Sequence, residues 1–167
     1  MSSANKTKRF VYLTLLSAMA ITLNLIESIY IGSFSFGIRI GLANIIALLT
    51  IHILGIKEMI VVNIMRVVIG NLLRGLIFGS TFWISLGGVC LSSIVMILLY
   101  KMKASILFTS ICSSIAHSVG QVIIVMLFYN QPAIAAILPY LLLGSIPMGI
   151  LTGITTKLVL DRLKGLR

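Results

Sequence analysis

Two arginines and two asparagines lie on one face of an otherwise apolar stretch, Glu58–Phe78. The stretch is long enough to cross a bilayer, because about 20 helical residues cover the hydrocarbon core. In a helix, Asn63, Arg66 and Arg74 share one face, and Asn71 lies at its edge. An arginine near the bilayer centre costs about 2.5–3.5 kcal/mol, so this face must look into protein or a wet cavity. The pattern indicates a binding site for an anion.

A structural interpretation of the same arginines stays open. Arg74 could extend to the outer membrane interface, and Arg66 could pair with a carboxylate. Glu27 follows Asn24 by three residues at the outer end of the first apolar run. It is the acidic residue expected at the outer side, and therefore the natural partner of one arginine.

A second polar stripe lies in the fifth apolar run. Ser113, His117 and Gln121 recur every four residues and so share one helix face, at the depth expected for Arg66. Asn44 adds a hydrogen-bonding side chain at the outer start of the second run. We expect His117, Gln121 and Asn44 to bind solute, with a packed structural histidine as the alternative.

The composition is that of a membrane protein. The chain is 59% hydrophobic and 10% charged, with a formal net charge of +10. The positive charge lies mostly between apolar runs, which is the pattern that sets membrane topology and argues against nucleic-acid binding. Two cysteines in separate apolar runs, without a histidine cluster, indicate neither a disulfide framework nor a metal site.

The apolar runs predict an all-α fold of six transmembrane helices in a single integral membrane domain, residues 1–167. The predicted spans are residues 10–27, 40–55, 58–78, 81–100, 105–129 and 132–157. With both termini in the cytoplasm, ten basic residues lie at inner positions, and Arg39 lies near the outer interface. This bias predicts a multi-pass protein of the cell membrane with cytoplasmic termini.

The segment Ile29–Ile40 alternates apolar with small or polar residues, a period of two. We interpret it as an outer lid loop between helices 1 and 2, whose Ser/Arg edge, including Arg39, faces a ligand. An amphipathic segment lying in the headgroup region is the alternative.

Thr14, Ala18 and Thr22 form a ladder of small residues on the first span. Such ladders let another helix approach closely. The ladder serves either packing within this protein or docking to a partner subunit.

Several short blocks together resemble the heptaprenyl diphosphate synthase component I family, also called the Gx transporter family. These blocks are Gly41–Asn44, Arg66, Arg74–Gly75, Ser85–Gly88, Ala116–Gln121 and Leu138–Pro139. The length and layout are also similar to the S components of energy-coupling factor (ECF) transporters.

The resemblance implies an S-component-like protein that captures a small polar solute, a micronutrient or precursor, from outside. It implies docking to a shared transmembrane subunit and two ATPase subunits, with the Thr14/Ala18/Thr22 ladder as the candidate surface. The excess of arginine over Glu27 in the outer half favours an anionic solute. The chain has no P-loop pattern, so ATP use would come from partners.

The family name suggests a different function, a non-catalytic membrane subunit or anchor of a polyprenyl diphosphate synthase. Catalysis of that reaction would need clustered aspartates to hold Mg²⁺ on a diphosphate. The sequence has one aspartate, Asp161. A membrane enzyme using His117 and Glu27 as acid and base is the third option. We expect a protein that is not an enzyme and needs no cofactor.

Overall fold

The computed structural model describes residues 3–31 and 42–165, and this part of the chain is almost entirely helical. Its α-helices are α1 Ser3–Ile26, α2 Leu42–Ile53, α3 Ile56–Leu73, α4 Ser80–Lys101, α5 Ile106–Tyr129 and α6 Leu138–Gly165. A π-helical turn, Glu27–Ile31, continues α1, and a 3-10 helix, Pro132–Ile137, precedes α6. The all-α prediction is confirmed.

Four of these helices, α1, α4, α5 and α6, are long and apolar enough to cross a membrane. The helix α2 is apolar but has 12 residues, which is about 18 Å at 1.5 Å per residue. That is shorter than the roughly 30 Å of a hydrocarbon core. Six full spans therefore remain a prediction, while the membrane-type helical architecture is established.

The short helix α2 forms the centre of the bundle. Nine consecutive residues, from Ala43 to Ile51, are buried, and the helix packs against α1, α3, α5 and α6. A helix that is apolar on every side is expected at such a position. One core cluster joins its Ile46 and Leu49 to Ala20 and Leu160, and a second joins its Leu48 and Ile51 to Met59 and Met96.

The third helix ends earlier than the sequence predicts. The predicted span continues to Phe78, whereas α3 ends at Leu73 and residues 74–79 form turns. Gly75 has φ 67° and Phe78 has φ 60°, both in the left-handed region. Left-handed residues end a helix, and glycine takes this conformation without a steric penalty.

Glycines bring α4 and α5 into close backbone contact. A β-carbon added at Gly120 would lie 2.6 Å from the carbonyl oxygen of Gly87, and one added at Gly88 would lie 3.0 Å from that of His117. Gly149 of α6 approaches α5 in the same way, because its β-carbon would lie 2.8 Å from Cα of Ile111. These three helices form a tight layer along one side of α2.

The predicted lid falls largely outside the described residues. The sequence pattern indicates non-helical structure from Ile29 onward, and this is wrong for residues 29–31, which continue α1 as a π-helical turn. Residues 32–41, Arg39 among them, lie outside the described part of the chain. The lid loop therefore stays a prediction.

Candidate functional site

A cavity lined by both polar and apolar side chains lies where all six α-helices converge. Its volume is about 50 Å³. A cavity needs about 10–15 Å³ to hold one water, so this one has room for a few waters or a compact solute. The wall includes the end of α1, the start of α2, the middle of α3 and the beginning of α4 and α6. The cavity thus lies toward the end of the bundle opposite to the two chain termini.

Two oppositely charged side chains face this cavity. Glu27 begins the π-helical turn after α1 and is 5% exposed, and Arg66 in the middle of α3 is 3% exposed. Ionised side chains at such depth are costly unless they are stabilised by polar groups. The polar wall of the cavity provides this environment.

The polar stripe of α5 supplies another part of the wall. His117 and Gln121 line the cavity, together with Ser114 and Ser118. Gly88 of α4 lies directly behind the two larger side chains, since its β-carbon would come within 2.7 Å of Gln121 Cγ and 2.9 Å of His117 Cε1. The absence of a side chain at this glycine lets both groups sit against α4.

Asn44 connects the cavity wall to the interior of α5. It lines the cavity from the first turn of α2, and its Nδ2 donates to Ser113 Oγ at 3.2 Å. Ser113 in turn donates to the carbonyl oxygen of Ser110 at 3.0 Å. Because Ser113 is fully buried, this bond fixes the direction in which the Asn44 amide points.

Three other residues of the α3 face lie outside the cavity wall. Asn63 donates to Ser93 Oγ at 2.8 Å, and its Oδ1 is buried without a hydrogen-bond partner in the described structure. Asn71 donates to the carbonyl oxygen of Val67 at 2.7 Å. Arg74 donates through Nη2 to Asn71 Oδ1 at 2.7 Å.

Arg74 also donates through Nε to the carbonyl oxygen of Gly70 at 3.1 Å. It occupies the C-cap position of α3. A cation there satisfies late carbonyl groups and interacts favourably with the negative end of the helix dipole. These two hydrogen bonds are those of a capping residue.

The ladder on α1 faces outward. Thr14, Ala18 and Thr22 are all exposed, so internal packing, one of the two alternatives, is not what they do in this structure. The hydroxyl of Thr14 donates to the carbonyl oxygen of Phe10, and that of Thr22 to Ala18, each at 2.9 Å. With the hydroxyls turned inward along the helix, the ladder presents methyl groups to its surroundings.

Other wall residues are not among the predicted binding residues. Besides Ser114 and Ser118 of α5, they include short polar side chains from four other elements: Asn24, Ser28, Ser85 and Ser145. Ser145 of α6 contacts Ser118 of α5, with 2.5 Å between the hydroxyl oxygens. A serine within an apolar run is the signal that a sequence offers for such positions, and it does not distinguish packing from binding.

The arrangement is suited to binding through charge and hydrogen bonds. It combines a carboxylate, a guanidinium, an imidazole, amides and hydroxyls around one space. The apolar part of the wall is formed by Ala43, Val67, Val89, Leu141 and Met148. Among the residues that the structure describes, no group of three or more His, Cys, Asp or Glu is placed to hold a metal ion.

Comparison with protein families gives one match that covers most of the chain. The model of the family described as heptaprenyl diphosphate synthase component I matches residues 16–159. Comparison with curated proteins and with solved structures finds no significant match.

Proposed function

The chain belongs to the heptaprenyl diphosphate synthase component I family, and we propose that it acts as the solute-binding membrane subunit of an ECF-type transporter. In this role it captures a small polar solute from outside the cell. The observation that carries the proposal is the cavity at which α1 to α6 meet, with charged and polar side chains in its wall.

The charged and polar side chains in the cavity wall favour a binding role over a packing role. If the bundle only had to be stable, apolar side chains could fill this space. The two core clusters around α2 are filled in this way. Instead, Glu27, Arg66 and Gln121 face a space that holds more than one water. Polar and ionisable residues at membrane depth commonly mark a solute path.

The direction of capture follows from the predicted topology. With cytoplasmic termini, the cavity lies in the outer half of the bundle, and the segment between α1 and α2 would close above it. Arg39 belongs to that segment and is proposed to complete the site from above. Asn63 and Asn71 support α3 around Arg66 and are proposed to act on binding through its position, whereas Arg74 is proposed to cap the end of α3.

Transport then requires partner subunits. The proposed partners are an ECF transmembrane subunit and two ATPase subunits. The exposed ladder of Thr14, Ala18 and Thr22 is the proposed docking surface, since small side chains allow a partner helix to approach closely.

The alternative is a non-catalytic membrane anchor for a polyprenyl diphosphate synthase. The family description supports it, because it names a component of such a synthase. An anchor would not need a polar cavity at the centre of its helices. We therefore rank solute binding first.

One purification distinguishes the two functions. The protein is extracted from membranes without added ligand, and co-purified proteins and small molecules are identified by mass spectrometry. Solute binding predicts ATPase subunits and a small polar molecule retained in about equimolar amount. A soluble prenyltransferase as the co-purified partner, with no retained polar molecule, would establish the anchor function instead.

A matched pair of arginine variants tests the site in the same experiment. Arg66→Ala should lose the retained molecule, because Arg66 lines the cavity, while the protein stays folded. Arg74→Ala should keep it, because that guanidinium bonds to Gly70 and Asn71. Equal retention by both variants would remove Arg66 from the site.

A further inference from the structure

Three buried side chains on one side of the cavity have their protons committed within the protein. They are Asn44 of α2, Ser118 of α5 and Ser145 of α6, which are 7%, 8% and 8% exposed. We name these three side chains the acceptor surface, and we infer that it binds a group of the solute that carries N–H or O–H donors. The inference rests on the proposed function and specifies the chemistry of its solute.

The orientation of the Asn44 amide follows from the single hydroxyl proton of Ser113. A carbonyl oxygen can only accept, so Ser113 uses this proton in its 3.0 Å bond to the carbonyl oxygen of Ser110. Ser113 Oγ must then accept in its 3.2 Å contact with Asn44, which places Nδ2 on that side of the amide. The Oδ1 atom that remains is an acceptor, and no described residue donates to it.

The two serines are oriented by the same rule. Ser145 Oγ donates to the carbonyl oxygen of Leu141 at 2.7 Å, which uses its single proton. Ser118 must therefore be the donor in the contact between the two hydroxyls. Both protons are committed in this way, so the capacity that the two hydroxyl oxygens retain is that of acceptors.

Acceptors that line a buried cavity indicate a donor supplied from outside the chain. Buried polar atoms almost always have a hydrogen-bond partner, because leaving them without one costs their free energy of desolvation. Water molecules can donate to the acceptor surface before a solute binds. A solute that displaces this water loses affinity unless it donates in the same places. A carbonyl, ether or carboxylate oxygen cannot do so, since it has no proton.

Other groups in the wall are compatible with this assignment. The amides of Asn24 and Gln121 can donate or accept, so they suit either kind of ligand group. The guanidinium of Arg66 can only donate, and it reaches the cavity from α3. An acceptor group of the solute can face Arg66 while a donor group faces α2, α5 and α6. The acceptor surface therefore selects the donor group and sets how the solute is oriented.

Three neutral probes of equal size test the donor preference. Acetamide replaces one methyl group of acetone by an N–H donor group, and 2-propanol replaces the carbonyl of acetone by a hydroxyl. Dissociation constants for the wild-type protein in nanodiscs are measured by ligand-observed NMR, after any retained molecule has been removed by dialysis. Empty nanodiscs correct for partition into lipid. We expect the tighter of acetamide and 2-propanol to bind at least about tenfold more tightly than acetone, which leaves the acceptors without a donor.

Two serine variants of α5 test the physical cause of the preference. Ser113 and Ser110 are both fully buried and lie outside the cavity wall. Ser113→Ala removes the acceptor that orients the Asn44 amide, so Nδ2 can face the cavity and the preference over acetone should fall about threefold or more. Ser110→Ala is the matched control. It removes a hydroxyl that bonds to Thr152 at 2.8 Å and keeps the carbonyl oxygen that accepts from Ser113, so the preference should be unchanged.

The inference is overturned if acetone binds the wild-type protein as tightly as both donor probes, or if neither donor probe binds. It is also overturned if folded Ser113→Ala keeps the full donor preference. Size-exclusion elution and circular dichroism establish whether each variant is folded, and the wild-type comparison decides by itself if a variant is not. Failure of the transport proposal is a separate result. In that case the purified wild-type protein would carry no Arg66-dependent small molecule and no ATPase partner.

Discussion

Gly88 of α4 lies against the imidazole of His117 of α5, and a β-carbon at the glycine would stand 2.9 Å from Cε1. The same β-carbon would stand 2.7 Å from Gln121 Cγ. Two predicted binding residues therefore depend on a glycine of the neighbouring helix for their position. Of the paired glycines of α4, Gly88 shapes the cavity wall, and Gly87 lies against Gly120 and Ile124 in the helix contact.

Gly88→Ala should reduce retention of the co-purified molecule strongly while lowering the stability of the protein only moderately. The added methyl group must displace His117 and Gln121, and overpacking costs about 1–3 kcal/mol of stability. Retention of the co-purified molecule and the unfolding midpoint in detergent are measured together. The matched control is Gly153→Ala, whose methyl group would press on Leu107 and Ser110 at about 3.0 Å, away from the cavity wall. Equal loss of binding in both variants would show that only helix packing is involved.

The helical period predicts part of the cavity wall. A spacing of four residues places His117 and Gln121 on one face of α5, and the structure brings both into the wall. On α3 the same reasoning groups Asn63, Arg66 and Arg74, but the structure brings only Arg66 of these into the wall. Periodicity predicts which residues share a face of a helix. It does not predict which of them lie at the level of the cavity along the helix axis.

Local backbone geometry explains the difference on α3. Arg74 stands beyond the last helical residue, because Gly75 adopts a left-handed conformation there. Its side chain turns back to the helix end and donates to the carbonyl oxygen of Gly70. Asn63 lies about one turn nearer the N-terminus of α3 than Arg66, and its amide donates to Ser93 Oγ. Neither contact can be read from spacing, because each depends on where the chain turns or which helix lies opposite.

The central position of α2 is a further feature that hydropathy alone does not predict. Its apolar run predicts a lipid-crossing span, whereas burial from Ala43 to Ile51 shows a helix surrounded by other helices. Uniform hydrophobicity suits lipid contact and protein burial equally well. The short length of the run is the signal that distinguishes the two.

Arg74→Ala should lower stability by about 1–2 kcal/mol, because it removes two side-chain hydrogen bonds and a cation from the C-terminus of α3. Arg74→Lys should fall between the wild type and the alanine variant, since it keeps the charge and loses the planar guanidinium. Thermal unfolding in nanodiscs measures all three proteins. If the lysine variant is no more stable than the alanine variant, charge at the helix end contributes nothing here.

Replacing Ser118 or Ser145 by alanine should lower the stability of the protein by different amounts. Ser145 Oγ donates to the carbonyl oxygen of Leu141 at 2.7 Å, so Ser118 is the donor in the contact between them. Ser145→Ala leaves a buried donor without its acceptor, and Ser118→Ala leaves Ser145 still bonded. Ser145→Ala should therefore be the more destabilising change.

A double-mutant cycle on these two serines measures their coupling. The double alanine variant should be less destabilised than the sum of the single variants, by about 0.6–1.7 kcal/mol, as for interhelical hydrogen bonds in membranes. Stability is obtained from unfolding in mixed detergent. Strict additivity would mean that the two hydroxyls do not stabilise the contact between α5 and α6.

The predicted topology can be checked at three exposed positions between helices. Phe78 lies between α3 and α4, Met102 between α4 and α5, and Gln131 just after α5. Lys101 and Lys103 flank Met102, and basic loops stay in the cytoplasm.

In a background with Cys90 and Cys112 replaced by alanine, a membrane-impermeant maleimide should label Phe78→Cys and Gln131→Cys in intact cells. It should label Met102→Cys only after permeabilisation. Labelling of Met102→Cys in intact cells would reverse the orientation and place the cavity on the cytoplasmic side, which would remove the basis for capture from outside.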